Sequence, residues 1–144
     1  MSAIYHYGVQ VMPDDIDRQG HVSNVVYVRW MQEAGLAHSS AVGWPGERYE
    51  AAGVGWVAKS HRIDYVKPAF ADEQIVVQTW VAYFKRASSL RRYRIVRESD
   101  ETVLAVAETN WAFVKLDTGA PLRIPPELAE CFETVADGDS SESP

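Results

Sequence analysis

Apolar residues recur at helical spacing in one segment of the chain, which begins near Asn24. They are Tyr27, Trp30, Met31, Ala34, Ala37 and Ala41. Ser23 or Asn24 stands where a helix cap is expected, and Gly43 with Pro45 supplies a stop signal. The pattern predicts one long helix from Asn24 to about Ala41, whose many small residues allow a sheet to approach its backbone closely.

The rest of the chain has mainly the apolar and aromatic patterns that are typical of strands. The predicted strands cover residues 4–12, 55–65, 74–84, 88–98 and 102–116, with a short helical or irregular segment at 47–52 and a brief helix through Phe132. Short turns link the last three strands, so we expect them to pair as an antiparallel meander. The order of elements predicts an α+β domain whose sheet covers the helix on one face.

Composition limits the architecture and the setting. A chain of 144 residues with 47% hydrophobic content fits one domain, expected over residues 1–132, and the acidic end at 133–144 is predicted to be disordered. The single cysteine, Cys131, excludes a disulfide framework and suits a reducing cytoplasm. The first residues lack an export signal and no apolar run has the length of a membrane span, so we expect a soluble, cytoplasmic protein without membrane contact.

Charge and histidine spacing argue against two further classes. A net charge of -6 and a pI near 5.1 are far from the basic balance of nucleic-acid-binding domains, so no nucleic-acid partner is expected. The four histidines are scattered without metal-ligand spacing, so neither a metal site nor a cofactor is predicted. One basic stretch without acids has two open interpretations, a solvent-facing strand surface or a contact with an anionic partner; it contains Lys85, Arg86, Arg91, Arg92, Arg94 and Arg97.

The candidate chemistry lies where an acidic loop enters the long helix. A helix start offers unpaired backbone N–H groups and a positive dipole end, which polarise a carbonyl and stabilise the oxyanion formed when that carbonyl is attacked. Asp17, a few residues before the cap, can supply a nucleophile or a base for water. Gly20 permits the tight backbone path between them. Taken alone, the loop acids are better explained as residues that cap the backbone or stay solvated than as catalytic groups.

The same segment resembles a known family. It reads DxDxxGHVxNxxY, formed by Asp15, Asp17, Gly20, His21, Val22, Asn24 and Tyr27, and is similar to the signature of the 4-hydroxybenzoyl-CoA thioesterase-like family. A second segment with Asp64, Tyr65, Pro68, Ala69 and Asp72 extends the resemblance, which covers about residues 4–132. The resemblance implies a hotdog fold, an antiparallel sheet of five to six strands wrapped around one long central helix.

The resemblance also implies an activity and a set of site residues. It implies hydrolysis of an acyl-coenzyme A or acyl carrier protein thioester by a homodimer or homotetramer, without cofactor, and Asp17 matches the catalytic carboxylate. The backbone N–H near Asn24 matches the family's hydrogen-bond donor at the helix end. Seven residues match the family's substrate-binding positions: His21, Asn24, Tyr27, Lys59, Lys85, Arg86 and Ser88. The last four match positions that contact the carrier across a subunit interface.

Two other functions remain open at this stage. A noncatalytic acyl-thioester-binding protein can have the same fold, since fold does not determine activity. An enoyl-thioester hydratase of this fold also uses an aspartate and a histidine before the helix, but its histidine follows five residues after the aspartate, whereas His21 follows Asp17 by four. The sequence leaves the acyl group undetermined.

Overall fold

The computed structural model describes residues 3–135, which form a single sheet and three helices in the predicted order. The elements are strand β1 (Tyr5–Gln10), a 3-10 turn (Pro13–Asp15), helix α1 (Asn24–Ala41), helix α2 (Gly46–Ala52), strand β2 (Val54–Tyr65), strand β3 (Gln74–Phe84), strand β4 (Ser88–Arg97), strand β5 (Val103–Lys115) and helix α3 (Pro126–Ala129). The start of the long helix at Asn24 is confirmed, with Ser23 as its cap residue.

The five strands form one antiparallel sheet in the order β1-β3-β4-β5-β2. The predicted meander of β3, β4 and β5 is confirmed, and β2 returns to pair with β5. Three register shifts interrupt the ladders, one of them at Lys59, which has no partner opposite it on β5. Such bulges increase the local twist of a sheet and help it to curve around a helix.

Helix α1 packs its apolar side onto one face of this sheet. Trp30, Met31 and Ala34 are fully or almost fully buried and belong to one core cluster with Ile75 of β3 and Ile95 of β4. Burying each large side chain contributes about 1.5–3 kcal/mol relative to leaving it in water. The predicted α+β arrangement, a sheet over one long helix, is therefore confirmed.

A second apolar cluster closes the other end of the sheet. It consists of Trp44, Tyr49, Val81, Phe113, Ile124, Leu128 and Phe132. Thr134 bridges to Val81, and the N–H of Val135 donates to the Val81 carbonyl at 2.9 Å. Thr134 and Val135 of the predicted tail thus lie against β3, and residues 136–144 of the tail lie outside the described residues. Within residues 3–135, no helix combines the length and apolar character that crossing a bilayer requires.

Candidate active site

Asp17 and His21 lie in a tight hairpin that precedes α1. Ile16 bridges to Val22, the Asp17 N–H donates to the His21 carbonyl at 2.9 Å, and the Gly20 N–H donates to the Asp17 carbonyl at 3.0 Å. Gly20 has φ +88°, which residues with a Cβ rarely adopt. The hairpin therefore turns the chain back and holds the two side chains next to each other.

The hairpin is fixed to the domain through a buried carboxylate, Asp15. The residue is 4% exposed, Oδ2 accepts from the Met12 N–H at 2.8 Å, and Oδ1 accepts from Arg29 at 3.0 Å. The Ser23 N–H donates to the Asp15 carbonyl, and the Val22 N–H donates to the Ala69 carbonyl, each at 2.9 Å. With its oxygens bonded inside the fold, Asp15 acts structurally, which leaves Asp17 as the reactive candidate.

Asp17 itself is accessible. About a third of its side chain is exposed, as is about a third of the His21 side chain, and Oδ1 of Asp17 lies 4.0 Å from Nδ1 of His21. The same Oδ1 accepts a hydrogen bond from the Gln19 N–H at 2.8 Å. That bond orients the carboxylate and leaves its other oxygen accessible to water or to a substrate carbonyl.

A small cavity of about 200 Å³ opens beside this hairpin and the start of α1. It is lined by His21, Val22, Asn24, Tyr27, Tyr65, Val66, Lys67 and Pro68. Tyr27 is buried and meets Tyr65 edge-on at 5.1 Å between ring centroids; burial raises the pKa of both phenols, so both stay protonated. The Tyr65 hydroxyl donates to the Asn24 carbonyl at 3.3 Å. The structure thus brings His21, Asn24 and Tyr27 together at one cavity.

The first turn of α1 leaves donors beside this cavity. Within residues 3–135, the backbone N–H groups of Asn24 and Val25 have no hydrogen-bond acceptor, as expected at a helix start. The 18-residue helix adds the positive end of its dipole. Together these groups can stabilise a negative oxygen, which is the chemical requirement for attack on a thioester carbonyl.

The predicted carrier-binding residues lie elsewhere. Lys85 and Arg86 are exposed in the β3–β4 turn, Ser88 begins β4, and Lys59 is the exposed bulge residue of β2. Strand β3 starts next to the loop that anchors the Asp17 hairpin and ends at this turn, about 35 Å away for an 11-residue strand. Within one protomer, the structure therefore does not bring Lys85, Arg86 and Ser88 near Asp17.

A larger cavity, of about 500 Å³, lies at this second end, between the C-terminal half of α1 and the sheet. Its lining is mainly aromatic and aliphatic, and comprises Gln32, Gly35, Leu36, Ser39, Tyr49, Glu50, Val54, Gly55, Trp56, Val81, Phe84, Ser89, Arg91, Trp111, Leu116 and Phe132. A volume of this size accommodates a small organic ligand. Asp17 does not contribute to it, so the cavity and the acid are separate in one protomer.

Arg91 is the buried charged residue of the larger cavity, whose other charged lining residue, Glu50, is exposed; the sequence did not predict the position of Arg91. It is 7% exposed and lies on the helix side of the sheet, so the interpretation of the basic stretch as a wholly solvent-facing surface is wrong for this residue. Its Nη1 donates to Nδ1 of His38 at 2.9 Å and to Oγ1 of Thr79 at 3.0 Å. Alternation along β4, which places Ser89, Arg91, Tyr93 and Ile95 on one face, is the signal that could have found it.

His38 is held neutral by these surroundings. Burial and the adjacent positive charge of Arg91 lower the pKa of His38 to about 4. Because Nδ1 accepts from Arg91, the proton of the neutral ring is on Nε2. The ring stacks on Tyr5, with 5.1 Å between centroids, and meets Phe132 edge-on at the same distance. His38 is therefore neutral, and the positive charge of Arg91 is not compensated by it.

In the described part of the chain, no three His, Cys, Asp or Glu side chains cluster as metal ligands.

Comparison with known proteins agrees with this architecture. Similar solved structures include a hypothetical protein from Aquifex aeolicus (26% identity, TM-score 0.83, covering 90% of this chain and 99% of that one). A DHNA-CoA thioesterase from Staphylococcus aureus has 24% identity and a TM-score of 0.83, covering 89% and 87% of the two chains. A 1,4-dihydroxy-2-naphthoyl-CoA thioesterase from Synechocystis has 19% identity and a TM-score of 0.82, covering 89% and 94%.

The family assignment rests on the sequence as well as on the fold. No curated protein sequence matches this chain. The model of the thioesterase-like superfamily matches residues 11–132, which include the hairpin, α1 and the whole sheet except β1. The predicted resemblance and the predicted hotdog fold are both confirmed. The chain belongs to the thioesterase-like superfamily.

Proposed function

We propose that this protein hydrolyses acyl-coenzyme A thioesters and that Asp17 is its catalytic carboxylate. Membership of the superfamily supports acyl-thioester hydrolysis as the general chemistry. The observation that carries the assignment to Asp17 is its position: it is accessible, lies next to His21, and precedes a helix start with unpaired N–H groups. Asp15, the other acid of the motif, is occupied by structural bonds.

In the proposed reaction, the thioester oxygen accepts hydrogen bonds from the N–H groups at the start of α1. Asp17 takes a proton from water, and the resulting hydroxide attacks the carbonyl carbon; alternatively, the carboxylate attacks directly and water cleaves the anhydride. The carbon–sulfur bond breaks, the thiolate of coenzyme A leaves and takes up a proton, and the acyl group leaves as a carboxylic acid. His21, with Nδ1 at 4.0 Å from Asp17, orients the water, and the Asn24 side chain and Tyr27 border the carbonyl.

A complete site needs a second protomer. Tyr65, at the end of β2, lies in the small cavity beside Asp17, whereas Trp56, near the start of β2, lies in the large one. The two residues are nine positions apart on the strand, which corresponds to about 30 Å. Within residues 3–135, β2 has no strand on its outer side. Pairing two copies of this edge about a twofold axis places the start of one β2 beside the end of the other.

In such a homodimer, the Asp17 hairpin of one protomer faces the large cavity of its partner. The cavity then receives the acyl group while the opposite protomer supplies the carboxylate. Lys85 and Arg86, exposed near the mouth of the cavity, contact the phosphates of the carrier, with Lys59 and Ser88 close to its arm. This arrangement explains why the predicted carrier residues are distant from Asp17 in one protomer. An acyl carrier protein remains the second candidate carrier.

Thiol release from a panel of acyl-coenzyme A thioesters tests the proposal. We expect Asp17→Asn to lower turnover by about 10²- to 10⁴-fold, because it removes the base or nucleophile and leaves the hairpin intact. Asp14→Asn is the matched control, since Asp14 is an exposed acid of the same loop and its loss should leave turnover unchanged. Near wild-type turnover in Asp17→Asn would refute the catalytic assignment.

Two further readouts separate the other functions. Binding of acyl-coenzyme A without thiol release, for the wild type and for every acyl group tested, would point to a noncatalytic binding protein. Hydration of crotonyl-coenzyme A faster than its hydrolysis would point to a hydratase.

A further inference from the structure

Arg91 is a buried cation without a compensating carboxylate. The residue is 7% exposed, and among residues 3–135 no Asp or Glu pairs with it. Its two protein partners, His38 and Thr79, are neutral and both bond to Nη1. Nε and Nη2 have no acceptor in this part of the chain. Burial of a charge is costly unless the charge is paired, so this arrangement is typical of a site that an anion completes.

The position of Arg91 connects this charge with the large cavity. Arg91 contributes to the cavity wall between the apolar residues Val81 and Phe132, and its guanidinium lies 5.8 Å from the centre of the Phe132 ring. On the helix side it lies against Gly35, where a Cβ would be 3.4 Å from Nε. Helix, strand and the Phe132 segment thus fix the guanidinium in place, so its planar donors are already oriented for a carboxylate.

We propose that the large cavity binds acyl groups that carry a carboxylate at the end remote from the thioester, and that Arg91 determines this specificity. This inference rests on the proposed function, because it treats the cavity as the site of the acyl chain. The surrounding aromatic and aliphatic side chains contact the body of the acyl group, and the terminal carboxylate accepts hydrogen bonds from Nε and Nη2 of Arg91. The phosphates of coenzyme A stay outside, near Lys85 and Arg86.

Matched pairs of substrates test this without any mutation. Suberoyl- and octanoyl-coenzyme A have equal chain lengths, as do adipoyl- and hexanoyl-coenzyme A, and 4-carboxybenzoyl- and 4-methylbenzoyl-coenzyme A have similar shapes. Each pair has the same carrier, so a difference within a pair reports on the acyl end alone. We expect kcat/KM to be about tenfold or more higher for the carboxylate member of at least one pair. Equal or lower values for the carboxylate member in all three pairs would overturn the proposal.

Variants of two arginines on β4 test whether Arg91 causes the preference for the carboxylate substrate. Arg91→Gln should abolish the preference, and Arg91→Lys, which keeps the charge and loses the planar donors, should retain part of it. Arg94→Gln is the matched control, because Arg94 is also buried but lies on the opposite face of the sheet, where it donates to Gln78. A preference that survives in Arg91→Gln would contradict the role of Arg91. If Arg91→Gln does not fold, as judged by circular dichroism, Arg91→Lys and the wild-type pairs still decide the matter.

Binding separates failure of this inference from failure of the proposed function. Trp56 and Trp111 line the cavity, so their fluorescence reports its occupancy. In Asp17→Asn, suberoyl-coenzyme A should bind about tenfold or more tightly than octanoyl-coenzyme A. If suberoyl-coenzyme A binds more tightly but the wild type releases no thiol, the specificity of the cavity is supported and the proposed hydrolysis is rejected. Hydrolysis of both members at equal efficiency, with equal binding, would support the hydrolase and reject the specificity.

Discussion

The two ends of α1 carry different parts of a thioesterase. At its N-terminal end lie an accessible acid, unpaired backbone donors and a cavity of about 200 Å³. Toward its C-terminal end lie a cavity of about 500 Å³ with aromatic walls and a buried guanidinium, but no acid of the signature motif. One end has the chemistry with little room for an acyl group, and the other has the room without the chemistry. The difference is what the proposed homodimer accounts for, in which a working site combines opposite ends of two chains.

Intersubunit complementation gives the sharpest test of that comparison. Asp17→Asn removes the acid, and Leu36→Trp fills the large cavity from an exposed position on α1. Each variant alone should have at most about 1% of wild-type turnover. An equal mixture, after exchange of subunits, should regain about a quarter, because half of the dimers are mixed and each has one complete site.

The measurement is thiol release before and after exchange of subunits, with the dimer verified by light scattering. Mixing Asp17→Asn with itself at twice the concentration is the control. Activity that stays at the level of the separate variants in verified mixed dimers would show that acid and cavity act within one chain.

Asp15 and Asp17, the two acids of the motif, should contribute differently to the stability of the fold. Asp15→Ala should lower the free energy of unfolding by about 3 kcal/mol, since it removes charged hydrogen bonds to the Met12 N–H and to Arg29 in a buried position. Asp17→Ala should change it by less than about 0.5 kcal/mol, because that side chain is a third exposed. Urea denaturation measures both, and equal losses would contradict the division of roles.

His38 should make the stability of the large-cavity end depend on pH. The pKa of His38 is lowered to about 4, so from about pH 6.5 downward the unfolded chain binds a proton that the folded chain does not. Stability is therefore full above pH 6.5 and falls as the pH drops toward 4. Between pH 7 and pH 5 the loss from this group is about 2 kcal/mol.

His38→Gln isolates this contribution, because glutamine also offers an acceptor to Arg91 but does not titrate in this range. The difference in free energy of unfolding between pH 7 and pH 5 should be smaller in His38→Gln than in the wild type by that amount. All other titrating groups are common to both proteins. Identical pH dependence in the two would show that His38 is already charged or already exposed to solvent.

The sequence predicts the N-terminal end of α1 better than the large-cavity end, and the reason is physical. The fold and the Asp17 hairpin follow from local signals: helical spacing after Asn24, turn residues between strands, and a contiguous motif whose residues the chain itself brings together. The large cavity arises from residues far apart in sequence, such as Gly35 on α1 and Trp56 and Arg91 on the sheet, which only the sheet register and the packing of the helix on the sheet bring together. Arg91 stands within a run of cations that is typical of a surface strand, and only the alternation along β4, which places it on the face of Tyr93 and Ile95, distinguishes it.

The smallest expected effect concerns the exposed cations of the β3–β4 turn. Combining Lys85→Gln with Arg86→Gln should raise KM for acyl-coenzyme A about fivefold and leave kcat unchanged, because exposed cations strengthen the binding of phosphates without touching the thioester. Added salt should remove most of this difference, since it screens charges at the surface. Lys115→Gln is the control, a lysine whose ion-pair partner is Asp117. A drop in kcat with unchanged KM would instead place the turn near the reacting carbonyl, and the assignment of acid and carrier contacts to opposite chains would then be wrong.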